Sequence, residues 1–132
     1  MNLLVNIDVD DLARAVDFYR RAFGLRIGRK LGGNIIEMLG GTTPVYLIEK
    51  SAGASATSPV RDYRRHWTPV HLDIVVDDIA AAKARAVEAG AVLESDVAEN
   101  NWGKIALFAD PFGHGFCLIE FIGRGYDEIA GD

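Results

Sequence analysis

The sequence predicts an α+β fold of two βαβββ modules in tandem, forming a curled mixed sheet, or cup, with the helices outside. Three observations carry that prediction. Leu3 to Leu12 and Val70 to Ile79 repeat one another: Val9-Asp10-Asp11-Leu12 falls on Val76-Asp77-Asp78-Ile79, Ile7 on Ile74 and Val5 on Leu72. Each copy runs on into one amphipathic helical stretch and then three short strand-like segments. Neither set of strands can bury a sheet face alone, so the two are expected to pack side by side. The expected layout is one domain over 1–132, with module one at about 2–50, a linker at about 51–67, module two at about 68–122 and a tail at 123–132.

In the first module, Val5, Ile7 and Val9 alternate with Asn6 and Asp8, the period of a strand with one face on a core. Asp10 or Asp11 offers a side-chain oxygen to the free amides at a helix start. Leu12, Ala15, Val16, Tyr19 and Phe23 then recur at helical spacing, with Arg14, Arg20 and Arg21 mostly off that stripe, and Gly24 ends the helix. Three strands are expected at Leu25–Leu31, Asn34–Leu39 and Pro44–Lys50, parted by Gly32-Gly33 and Gly40-Gly41. Ser51 to Pro59 is small and polar, as a flexible connection would be. It leads into Arg61-Asp62-Tyr63-Arg64-Arg65-His66-Trp67, either a solvated linker or a rim giving Arg61, Tyr63 or Trp67 to a ligand pocket.

The second module repeats the order. Its strand is expected over Val70–Val76, its cap at Asp77 or Asp78, and its helix face along Ile79, Ala82, Ala86 and Ala89, closed by Gly90. Ala91–Val97, Lys104–Asp110 and His114–Phe121 supply three further strands, the last two joined through the turn Asp110-Pro111-Phe112-Gly113. Alternation then assigns faces. Val5, Ile7, Val9, Leu72, Ile74 and Val76 are expected toward the helices, and Leu4, Asn6, Asp8, His71, Asp73 and Val75 toward the cup. Aligning Leu47-Ile48-Glu49 with Leu118-Ile119-Glu120 adds Tyr46, Ile48, Cys117 and Ile119 to the cup face.

Composition narrows the function classes. Apolar residues make up 49% and charged residues 25%, which excludes a disordered or fibrous chain. A net charge of −5 argues against a nucleic-acid or anionic-membrane surface, so neither is expected as a partner. The opening Met-Asn-Leu-Leu-Val-Asn-Ile-Asp lacks the basic flank and apolar run of a secretion signal, and no run is long enough for a membrane span. With the single Cys117, these features predict a cytoplasmic location.

The motifs Val9-Asp10-Asp11-Leu12, Phe18-Tyr19, Phe23-Gly24, His71 to Asp78, Ala89-Gly90-Ala91, Asp110-Pro111-Phe112-Gly113 and Leu118-Ile119-Glu120 come in an order that resembles the vicinal-oxygen-chelate superfamily. That superfamily holds glyoxalase I, bleomycin-resistance proteins and ring-cleaving dioxygenases. The resemblance implies a homodimer with pockets at or near its interface, neighbouring first and last strands in each module, and four metal-ligand places on the cup face. Those places hold Leu4, Tyr46, His71 and Cys117 here, and only His71 keeps the usual ligand type. No metal or other cofactor is therefore expected, although a divalent ion at His71 stays open as an alternative.

Three readings stand for His71 and Cys117: ordinary pocket-lining residues, a thiolate–imidazolium pair, or a soft Zn²⁺ site helped by Asp73 or Asp8. Both are the candidates for catalysis. Tyr46, His71, Asp73, Cys117, Asp8, Trp67 and Trp102 are the candidate ligand-binding residues, Trp102 through a loop that folds over the mouth or packs across the rim. His114 reads as a turn residue. The function expected is metal-free binding of a small molecule, in the manner of a bleomycin-resistance protein; the alternative is an isomerase, lyase or dioxygenase-like enzyme with a rearranged or absent metal site.

Overall fold

The computed structural model describes residues 1–55 and 57–131. Ala56, in the expected linker, and Asp132, in the expected tail, lie outside the described residues. The chain divides into two compact units, Met1–Arg64 and Arg65–Asp132. Each is a βαβββ module with one four-stranded mixed sheet, so the predicted α+β class and element order hold.

The first module contains β1 (Val5–Val9), α1 (Leu12–Phe23), β2 (Arg26–Leu31), β3 (Ile35–Leu39) and β4 (Val45–Glu49), in the sheet order β1-β4-β3-β2. β1 and β4 are parallel neighbours, with Asn6 opposite Tyr46 and Asp8 opposite Ile48. Of the two candidate caps, Asp11 is the one used: its Oδ1 accepts from the Arg14 amide at 3.0 Å. Gly24 closes the helix in the left-handed conformation. The helix packs on β3 and β4 and buries Ala15, Val16, Phe18, Tyr19 and Ala22. Phe18 lies outside the expected stripe yet is fully buried, its ring edge-on to Tyr19 at 5.1 Å and Phe23 at 5.7 Å. Burying such a ring contributes about 1.5–3 kcal/mol.

The second module contains β5 (Leu72–Val75), α2 (Ile79–Ala89), β6 (Val92–Asn100), β7 (Gly103–Ala109) and β8 (Gly115–Phe121), in the order β5-β8-β7-β6. Asp78 caps α2 by accepting from the Ala81 amide at 3.0 Å. β5 is shorter than the expected Val70–Val76. At the edge of this sheet it pairs, among the described residues, with β8, and its ladder begins at Leu72 opposite Phe116, so Val70 and His71 stand before it.

The repeated Leu-Ile-Glu segments have a shared structural task. Glu49 Oε2 accepts from the Leu12 amide at 2.8 Å, and Glu120 Oε2 from the Ile79 amide at 2.9 Å. In each module the last strand thus places a carboxylate on the first amide of the helix, where the helix dipole favours negative charge.

The expected flexible connection is instead tied down where it is described. The Gly53 amide donates to the Arg61 carbonyl at 2.8 Å, Arg61 Nη1 to the Ala54 carbonyl at 2.9 Å, and the Tyr63 hydroxyl to the Lys50 carbonyl at 2.6 Å. Two of the three donors, Arg61 and Tyr63, come from the basic and aromatic run that follows the connection.

Candidate functional site

In the second module the parallel β5–β8 register sets Asp73 opposite Cys117, and the β7–β8 register sets Leu107 opposite Cys117. His71 precedes Asp73 by two residues, the spacing that returns a side chain to the same face of extended chain. His71 Nε2 stands 3.2 Å from Asp73 Oδ1. One donor atom each from His71, Asp73 and Cys117 lie within 4.8 Å of one another. The predicted proximity of His71 and Cys117 is therefore found, and Asp73 is what joins them.

His71 and Cys117 line a cleft of about 340 Å³, with Trp67, Ile105, Leu107 and Phe116 also on its walls. The Trp67 side chain is largely exposed beside it, at 79%. Arg65 and Glu94 add a charged pair: Arg65 Nε and Nη2 donate to the Glu94 carboxylate at 2.7 and 2.9 Å. That hydrogen-bonded guanidinium holds the Glu94 carboxyl below its usual range. Neither Arg65 nor Glu94 was singled out by sequence reasoning, because the pairing joins residues 29 apart.

Burial, followed by the Asp73 carboxylate that accepts from it, pushes the Cys117 thiol up to about 11. Cys117 is consequently a neutral thiol near pH 7. The thiolate–imidazolium reading needs the opposite shift and finds no support here.

The first module uses the matching positions differently. The β2–β3 ladder shifts between Ile27 and Lys30, so that Gly28 and Arg29 together face Glu37, a β-bulge. The buried Glu37 carboxylate accepts from the Arg29 amide at 3.0 Å, from Arg29 Nη2 at 2.6 Å and from the Tyr46 hydroxyl at 3.2 Å. A Cβ on residue 28 would stand 2.5 Å from Glu37 Oε2, so glycine is what lets the carboxylate sit in the bulge. Sequence reasoning passed over Glu37. A lone carboxylate among Ile35, Ile36, Met38 and Leu39 was the available signal.

Hydrogen bonds from the Arg29 side chain and amide hold the Glu37 carboxyl at about 2, below an ordinary value of 4.5. A depressed carboxyl stabilises the fold above its unfolded pKa, and that contribution disappears as pH falls through the folded value. The window here runs from about pH 4.5 down to about pH 2. In Glu37→Gln, acid destabilisation across this window is expected to be shallower than in the parent. Urea melts over the window check this, and parallel pH profiles for the two proteins would contradict it.

Other candidates sit apart from the cleft. Asp8 Oδ2 accepts from Arg61 Nε at 2.5 Å, within the first module. Arg61 and Tyr63 thereby hold the segment after β4. Trp102 does not line the cleft: its ring packs against Phe121 at 6.4 Å and Tyr126 at 5.2 Å. The His114 amide donates to Asp110 Oδ1 at 2.9 Å, in the turn between β7 and β8.

The four implied ligand places do not fit a hard divalent ion, which takes several oxygen or imidazole donors. Leu4 has no donor atom and is 66% exposed. The Tyr46 hydroxyl is engaged by Glu37 and by Arg29 Nη2 at 3.3 Å. Cys117 offers sulfur, a soft donor.

A family model for the Glyoxalase-like domain matches residues 4–119. The chain belongs to that family. This glyoxalase-like protein is 33% identical over 119 residues to an uncharacterized protein of Mycobacterium bovis, with 83% of this chain and 76% of that one covered. It is 32% identical to the anthracycline biosynthesis protein DauV of Streptomyces sp. strain C5, with 88% of this chain covered but only 40% of DauV. Among solved structures, it shares its fold with TnmS3, an antibiotic-binding protein from Streptomyces sp. CB03234, at a TM-score of 0.65 and 23% identity, covering 90% of this chain and 93% of that one. The fold is thus shared with an antibiotic-binding protein, and the sequence with an anthracycline biosynthesis protein.

Proposed function

We propose that this glyoxalase-like protein binds a small organic molecule in the second-module cleft, without the hard ion used by metal-dependent relatives. The observation that carries the reading is the cleft itself: about 340 Å³, with apolar walls from Trp67, Ile105, Leu107 and Phe116, polar groups at His71 and Cys117, and the Arg65–Glu94 pair beside them. That combination of apolar walls and a few converging polar groups is the usual character of a ligand site. The antibiotic-binding and anthracycline-biosynthesis names among similar proteins favour an aromatic ligand. His71, Asp73 and Cys117 would orient it, and Trp67 would cover it from the rim. The proposal includes a homodimer in the cytoplasm. Light scattering tests the dimer, and a monomer at micromolar concentration would remove that part.

A thermal-shift screen of anthracyclines and smaller aromatic compounds on chelator-treated protein tests the binding. A ligand that binds only the folded chain raises the melting point as its concentration exceeds Kd. Leu107→Asp sets a charge on the apolar wall opposite Cys117 and is expected to weaken such a ligand by at least about tenfold, or about 1.4 kcal/mol. An unchanged affinity in that variant would place the ligand elsewhere.

A second reading, an isomerase or lyase with His71 as general base, is favoured by the 3.2 Å approach of Asp73 to His71 Nε2, which would fix the imidazole tautomer. Assays with glutathione hemithioacetals, and with catechols for the dioxygenase-like alternative, test the inherited activities. Absence of turnover in both would eliminate them.

A further inference from the structure

We propose that His71, Asp73 and Cys117 form a three-donor site for Zn²⁺ contained within the second module. The inference goes beyond ligand binding and does not depend on it. It also differs from the four-place set implied by the superfamily: Asp73 belongs to none of those places, and Leu4 and Tyr46 take no part.

The donor chemistry selects the ion. Imidazole, carboxylate and sulfur together suit Zn²⁺ and disfavour Mg²⁺ or Mn²⁺. The spacing suits it as well. Two nitrogen or oxygen ligands at tetrahedral Zn²⁺ stand about 3.3 Å apart, and a sulfur and a nitrogen about 3.5 Å apart. His71 Nε2 and Asp73 Oδ1 are already 3.2 Å apart, and all three donor atoms lie within 4.8 Å. Rotation of the Cys117 side chain would close the set, since the ladder fixes the spacing of the strands. Asp73 and Cys117 are register partners on adjacent strands, so the backbone holds two of the three donors in place. Binding converts the thiol to thiolate and releases its proton to solvent. Three protein ligands would leave a fourth position for water or a ligand, and His71 and Cys117 both border the cleft.

The test uses the full chain stripped with chelator and titrated with Co²⁺ and then Zn²⁺. The expected result is a thiolate-to-cobalt charge-transfer band with tetrahedral d–d absorption, displaced by Zn²⁺ and indifferent to excess Mg²⁺. Cys117→Ser should abolish the charge-transfer band. Cys117→Ser and Asp73→Asn should each weaken Zn²⁺ by roughly 10- to 100-fold or more. Asp96→Asn alters an exposed carboxylate paired with Lys83 outside the cleft and should change nothing. Circular dichroism verifies the fold of each variant; should Cys117→Ser fail to fold, Asp73→Asn, a change at an exposed position, decides the matter. A parent protein without the charge-transfer band, or equal Zn²⁺ affinity in parent and variants, overturns the site. Organic-ligand binding measured in chelator reports on the earlier proposal separately.

Discussion

Phe108→Ala is expected to destabilise the second module by about 3–5 kcal/mol. Phe108 is 1% exposed, lies on the central strand β7, and stacks on Phe116 of β8 with ring centroids 5.3 Å apart and planes within 10°. Removing the ring takes away both the transfer energy and the packing of its neighbour, and a central strand has little freedom to collapse into the void. Phe108 and Phe116 both border the cleft, so the same change should also lower affinity for any ligand held there. Both tryptophans of the chain, Trp67 and Trp102, belong to the second unit, so their fluorescence in a urea titration reports on that unit. A loss below about 1 kcal/mol would mean that the ring is not part of a close-packed core.

Asp110→Ala should be comparably damaging, by about 2–6 kcal/mol. The Asp110 carboxylate is buried and accepts from the Phe112 amide at 2.8 Å and the His114 amide at 2.9 Å. Alanine would leave those two amides without their acceptor, at about 1–3 kcal/mol each. Asp110→Asn keeps an oxygen for them and should cost about 1 kcal/mol. This turn sets β7 against β8 and therefore Leu107 against Cys117. Ligand affinity should follow the same ranking as stability, parent above Asn above Ala, and equal melting curves for the two variants would contradict the assignment.

Much of this architecture was legible in the residues because it is local. Asp11 and Asp78 cap their helices, Gly24 and Gly90 end them, and strand alternation correctly grouped Asp73 with Cys117 and Asn6 with Tyr46 on shared faces. What stayed hidden depends on pairing between distant segments. The start of the β5 ladder at Leu72 is set by its register against β8, opposite Phe116. The bulge that receives Glu37 exists only once β2 lies against β3, and the Arg65–Glu94 pair only once residues near the module boundary reach β6. For Trp102 the residues left two readings open, folding over the mouth or packing across the rim; its ring packs on Phe121 and Tyr126 and does not line the cleft. Of the site, the residue types and their common face could be read. Their mutual distances could not, since these are set by ladder register.

In both modules the first strand is zipped to the last one made, β1 to β4 and β5 to β8. During synthesis β1 must therefore wait, without its neighbour, until some forty residues more have emerged. Once residue 49 is clear of the ribosome the first sheet has all its strands, so the N-terminal half can complete its hydrogen bonding while the C-terminal half is still being translated.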